Sequence, residues 1–291
     1  MRRRGSGFRL TQLLRVLTAV ALSAAALSLS AQPSAKPTGI AVSPGNVTVD
    51  ISSGSAGGAI RVFNLNSDPM TVNANVSHFD LDAGNKVRAI PPTPQSLDQW
   101  LLINPLRFTI PPGGSQVVRF AVRPRARPDP GEHRAMVYFS PQLESDPEAT
   151  ISVAVRMGVA IYGVAQPVRR LGSVQQMQVS ATTAGVDLAL TVVSTGNALV
   201  RLNGHYGIWP ESNYPGDSAA SRSLARLERD AVPEAALAAG RLPTTPVLAG
   251  TERVLVQSVP VDLESGRRYR IAIQGELQDT PLTASVTFIA E

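Results

Sequence analysis

The stretch Thr150 to Tyr162, TISVAVRMGVAIY, sets Ile151, Val153, Val155, Met157, Val159 and Ile161 at successive odd positions, with Ser152, Ala154, Arg156, Gly158 and Ala160 between them. Period 2 sustained with mostly β-branched side chains puts all six apolar groups on one face of a single strand. The strand is about twice the usual length of roughly 5–6 residues. A small sandwich cannot cover all of it, so part of its apolar face or its edge is exposed, shared with a second domain, or offered to a partner. Two readings follow: a long core strand beside a domain junction, or a strand with which another polypeptide pairs.

Working outward, the 291 residues suit two domains, each able to bury its own core. Residues 1–31 are set aside as a secretory signal peptide: Arg2, Arg3, Arg4, Arg9 and Arg15 precede an apolar Ala- and Leu-rich run that ends in small residues. An uncleaved anchor is the alternative, although the run is short for a membrane span of roughly 20 residues. Cleavage is expected between about Leu27 and Gln32. Removing the five leader arginines from the 27 basic residues leaves 22, against 22 acidic ones, so the mature chain carries no formal net charge. That balance argues against a nucleic-acid role, and no other run is apolar enough to expect membrane insertion after leader cleavage. The absence of cysteine excludes disulfides and cysteine-based metal sites.

From Gly39 onward, short runs rich in Val, Ile, Thr and Phe alternate with Gly, Pro, Asn and Asp turns, which is the pattern of antiparallel sandwiches. The expected fold is all-β, with two immunoglobulin-like sandwiches in tandem. Strands are expected at 40–42, 46–51, 58–64, 70–79, 107–110, 115–122, 132–141 and 150–162. A second set follows at 175–180, 186–194, 199–208, 252–260, 268–276 and 282–289. Gln166-Pro167 marks the boundary, because proline forces its predecessor to be extended and cannot donate a ladder hydrogen bond. The domains are therefore expected at 39–166 and 167–291. Residues 211–248 interrupt the rhythm as a partly helical or irregular insertion. Its alanine-rich part, with Pro233 as opener and Gly240 as stop, reads as a short helix or an ordered insertion.

No catalytic constellation is legible. His78, His133 and His205 lack ligand-spaced neighbours. The segment DLDAGN, Asp80 to Asn85, begins like a calcium loop, but Pro91 stands where the closing Glu belongs, so an aspartate-stabilised hairpin turn is expected. Gly54 to Gly58 fits neither a phosphate cradle nor a nucleophile elbow. The expectation is a protein that is not an enzyme and that uses no cofactor and no metal.

Several motifs then resemble the PapD-like periplasmic chaperones of pilus assembly. They are Val42-Ser43-Pro44 opening a strand, Asn64 ending another, Trp100-Leu101-Leu102-Ile103-Asn104-Pro105, Phe108-Thr109-Ile110-Pro111-Pro112-Gly113, Gln116-Val117-Val118-Arg119, and Gly131-Glu132-His133-Arg134 running into Val137-Tyr138-Phe139. Their order and spacing cover about residues 39–166. The C-terminal half shares only a second sandwich with a turn and strand at 246–253. The resemblance implies a periplasmic chaperone that lends its long last N-domain strand to incomplete pilin-like subunits, with an outer-membrane usher as a further partner. It would need neither ATP nor metal.

On this resemblance Ile151, Val153, Val155, Met157 and Val159 form the donor strand. The family also grips the subunit's C-terminal carboxylate with a cleft Arg and Lys, and here the chain departs from the pattern. Ungapped matching puts Thr48 and Val159 at those two positions, and Arg134 at an acidic one that normally pairs with the arginine matched by Arg119. The same matching sets the small even-numbered residues on the donor face, so either the register slips by one or the odd face is core. The nearest replacements for the anchor are Arg156, Arg169 and Arg170. The alternative is a structural or adhesive periplasmic protein that kept the fold and lost subunit binding.

Overall fold

The computed structural model describes residues 39–142, 155–227 and 232–290. The expected leader (1–31), Ile151 and Val153 lie outside the described residues. Strands are numbered β1 to β18 in chain order. Every strand pairing falls either within 40–165 or within 172–289, giving two sandwiches that cohere as one compact unit, Thr38–Glu291.

The first sandwich faces two sheets together. One has the order β1 (Ile40–Ser43), β3 (Ala56–Asn64), β9 (Ser115–Val122), β7 (Leu101–Asn104). The other has the order β2 (Asn46–Asp50), β11 (Met157–Ala165), β10 (Gly131–Pro141), β4 (Met70–Ser77), β8 (Arg107–Ile110). Between β1 and β2 the chain crosses from one sheet to the other at Pro44-Gly45, where Pro44 has no N–H to continue a ladder. Alternate residues of both sheets meet in one core, including Ile60, Val62, Val118, Phe120, Val137, Phe139, Val159, Ile161 and Trp100. Buried Asn64 ties the sandwich's turn region together: its Nδ2 donates to the carbonyls of Asp68, Ile110 and Pro111 at 2.8–3.2 Å, while its Oδ1 accepts from Asn66 N–H.

The second sandwich packs the sheet β12 (Gly172–Thr182), β13 (Gly185–Ser194), β16 (Glu252–Pro260) on the sheet β15 (Ala238–Arg241), β14 (Leu202–Pro210), β17 (Arg268–Leu277), β18 (Thr280–Ile289). The insertion adds a third layer. Helix α1 (Asp217–Leu224) lays Ala220 and Leu224, four residues apart on one helix face, against Trp209 and Ala272 on the outer face of the second sheet. Of the two readings of the stretch from Pro233 to Gly240, a short helix or an ordered insertion, it is not the helix that forms there. Residues 238–241 instead make β15, and Gly240 is needed there because a Cβ would stand 2.6–3.0 Å from the Tyr206 ring and hydroxyl.

Candidate partner-binding edge and cleft

The strand expected over 150–162 begins, among the described residues, at Met157 and runs on to Ala165; Val155 and Arg156 precede it. The cause lies in β10. Its register pairs Phe139 with Met157, so Val155 would face Pro141, which has no N–H to give. On its other side β11 pairs in parallel with β2, but only from Ala160 to Val164. Among the described residues, Met157 to Val159 therefore have a strand on one side and an open edge on the other.

The odd face divides at this point. Val159 and Ile161 are fully buried in the first core, Met157 is half-buried against it, and Val155 is 44% exposed. From Val159 onward this face is core, because the opposite sheet covers it. Val159 has no apolar surface left to lend, so of the described residues expected on a donor face only Val155 and Met157 keep apolar surface exposed.

The even face looks toward the second sandwich. Here Gly158, Ala160, Tyr162 and Val164 stand opposite Tyr138, Met136, Arg134 and Glu132 of β10. Ala160, Tyr162, Met136, Phe79 and Leu81 pack with Leu199 and Leu248 of the second sandwich, joining the two halves. Higher up, Arg156 lies over the Tyr138 ring, 3.9 Å from its centroid. Gly158 keeps this spot low, since a Cβ there would meet Met136 Sδ at 3.0 Å.

The three arginines read as possible anchors do not converge. Arg156 is exposed and lies over the Tyr138 ring beside the open edge. Arg169 is exposed, and its backbone is locked to Asn197 by two hydrogen bonds, with Arg169 N–H donating to Asn197 Oδ1 (2.6 Å) and Asn197 N–H donating to the Arg169 carbonyl (2.9 Å). Arg170 is half-buried and acts electrostatically on Glu132. Thr48 stands in register beside Tyr162, and Arg119 is exposed on the outer face of the other sheet.

Sequence reasoning missed the polar groups at the sandwich junction. Burial pushes the Glu132 carboxyl up from its ordinary value, against the pull of the Leu199 N–H, which donates to Oε2 at 3.2 Å, and of Arg134, Arg170 and Arg201. Its other oxygen, Oε1, is buried and has no hydrogen-bond partner. Burial likewise raises the Tyr162 hydroxyl. Asp80, on β5 (Phe79–Leu81), draws Arg88, Arg134 and Arg253 within 3.7–3.9 Å. The Arg253 guanidinium also donates to the carbonyls of Leu81 and Asp82. Asn85, in the turn to β6 (Val87–Ala89), donates to the Val254 carbonyl at 3.0 Å. The DLDAGN turn thus forms with Asp82 Oδ1 accepting from Gly84 and Lys86 N–H, and serves as a strap onto the second sandwich. Asn197 completes the junction by donating to the carbonyls of Pro130 and Pro167. The one signal for this network was an alternation of Glu132, Arg134, Met136 and Tyr138 on a strand whose other face is apolar but for His133.

No family model and no curated relative matches the sequence. Among solved structures, the chain resembles the CsuC–CsuE chaperone–tip adhesion subunit pre-assembly complex of Acinetobacter baumannii archaic chaperone-usher Csu pili (11% identity, 86% of this chain, 97% of that chain, TM-score 0.43). It also resembles the Salmonella enterica SafA pilin complex with the SafB chaperone (12% identity, 87% and 97%, TM-score 0.42) and the Pseudomonas aeruginosa CupB2 chaperone (12% identity, 86% and 100%, TM-score 0.39). These solved structures are fimbrial chaperones or complexes containing one.

Proposed function

We propose that the chain is an exported, periplasmic chaperone of pilus assembly that holds incomplete β-sandwich subunits by pairing with the open start of β11. The observation that carries this reading is the edge of Met157 to Val159 that no strand pairs among the described residues, led by the exposed Val155. An unpaired edge offers backbone donors and acceptors to an added strand, and an adjoining apolar side chain adds specificity. Pairing of this kind needs no nucleotide, metal or catalytic group. On this reading Ile151 and Val153 continue the donor face, and Arg156 is the charged group best placed to meet an incoming chain. An outer-membrane usher belongs to the same reading as a second partner. The buried Val159, and Thr48 where a cationic anchor belongs, favour the alternative of a structural periplasmic protein that has lost subunit binding.

Val155→Glu separates the two readings. Val155 is half out of the core, so the free protein should melt within a few degrees of wild type. Capture of a co-expressed pilin-like subunit, encoded beside this chain, should be lost. Capture equal to wild type would defeat the assignment, and a collapse in stability would show that Val155 is core.

A further inference from the structure

The outer face of the β1-β3-β9-β7 sheet is cationic. Arg61 on β3 and Arg119 on β9 are exposed on the same face of neighbouring strands, two residues apart in register. The chain then continues from β9 as Arg123-Pro124-Arg125-Ala126-Arg127-Pro128, in which all three arginines are exposed. Among the described residues, none of these five arginines has an acidic partner within ion-pair distance. The run is not a loose loop: Arg123 N–H donates to the Trp100 carbonyl at 2.8 Å, and Gln95 Nε2 donates to the Arg127 carbonyl at 3.2 Å. Two prolines further restrict its backbone. Leu102 projects from the same face at 51% exposure, paired in register with Ala121 between Arg119 and Arg123.

We propose that this face docks on an anionic lipid surface. The mature chain has no formal net charge, so Arg61, Arg119 and Arg123 without acidic partners on this face, continued by the exposed Arg125 and Arg127 in the run beyond it, are a local asymmetry. At physiological salt a surface charge is felt within about 8 Å, so the local face governs and the overall balance does not. Guanidinium groups match phosphate oxygens bidentately, and an exposed leucine among them suits the apolar boundary below the headgroups. The charges spread over two strands and the run beyond them, where an acidic polypeptide laid along one row would meet only some. β11 belongs to the opposite sheet, so docking leaves its edge open.

The mature chain is sedimented with vesicles of equal parts phosphatidylglycerol and phosphatidylcholine, and with vesicles of phosphatidylcholine alone. Binding is expected only to the anionic vesicles and should fall as salt rises. Arg119→Gln and Arg123→Gln should each weaken it by about fivefold, the worth of roughly 1 kcal/mol per cation near such a surface. Leu102→Ser should weaken it without changing the salt dependence. Arg222→Gln, an exposed arginine on α1, makes the same change in net charge elsewhere and should leave binding unchanged. Equal sedimentation with both vesicle types overturns the proposal, as does an Arg222→Gln loss matching that of Arg119→Gln. So does Arg119-dependent binding of polyglutamate without vesicle binding.

Discussion

Glu132 is a carboxylate held between two sandwiches with one oxygen bonded to Leu199 N–H and the other unpartnered. Its folded-state value is raised above the reference of 4.5, chiefly by burial. The sign follows from linkage: the folded chain holds the proton more tightly than the unfolded chain. Stability from this group is therefore full below the unfolded value, and it is lost as pH rises from there through the raised folded value. Glu132→Gln removes the titration while keeping an oxygen for Leu199. The expected result is a flatter stability profile just above the ordinary carboxylate range, measured by chemical denaturation at a series of acidic pH values. A variant profile parallel to wild type would show that Glu132 does not titrate there. Little of this was legible in the sequence, because Glu132 and Tyr162 acquire their meaning only when a second sandwich covers the even face. The departures at Thr48 and Val159 were legible, since they need only the motif positions.

At the scale of elements, β9 and β16 lie where the sequence places them, because alternation bounded by turns leaves little freedom. The short strands β6, β7 and β15 were not legible: three or four residues carry no period, and they exist because a neighbouring edge supplies their hydrogen bonds. The long strand was legible in its alternation but not in its start, which Pro141 on a different strand decides. Alanine content and a Pro–Gly frame pointed to 233–240 as a short helix or an ordered insertion, and the helix lies earlier, at Asp217–Leu224. What stabilises α1 is tertiary: Leu224, fully buried, covers Trp209 and comes within contact of the space above Gly207. Leu224→Ala should cost about 2–5 kcal/mol, typical of a buried leucine truncated to alanine. Urea denaturation followed by tryptophan fluorescence would measure it. A loss below about 1 kcal/mol would mean that the helix is not part of the cooperative fold.

The molecule as a whole is two sandwiches held at one setting by the β5–β6 strap, by Arg253 reaching across to Asp80 and the Leu81 and Asp82 carbonyls, and by Asn197 bridging Pro130 and Pro167. The all-β tandem architecture was legible from turn spacing, whereas the side-chain bonds between the halves join residues too far apart in sequence for any local pattern to reveal. This setting buries the even face of β11 and leaves the start of its edge open, which is the central claim about function. The direct test is amide hydrogen exchange of the mature protein over residues 155–159, alone and with a pilin-like subunit. Fast exchange is expected in the free chain at those of these amides that point away from β10, in contrast to residues 160–164, which β2 flanks, with marked slowing once the subunit binds. Exchange at 155–159 that stays unchanged in a complex that does form would contradict it.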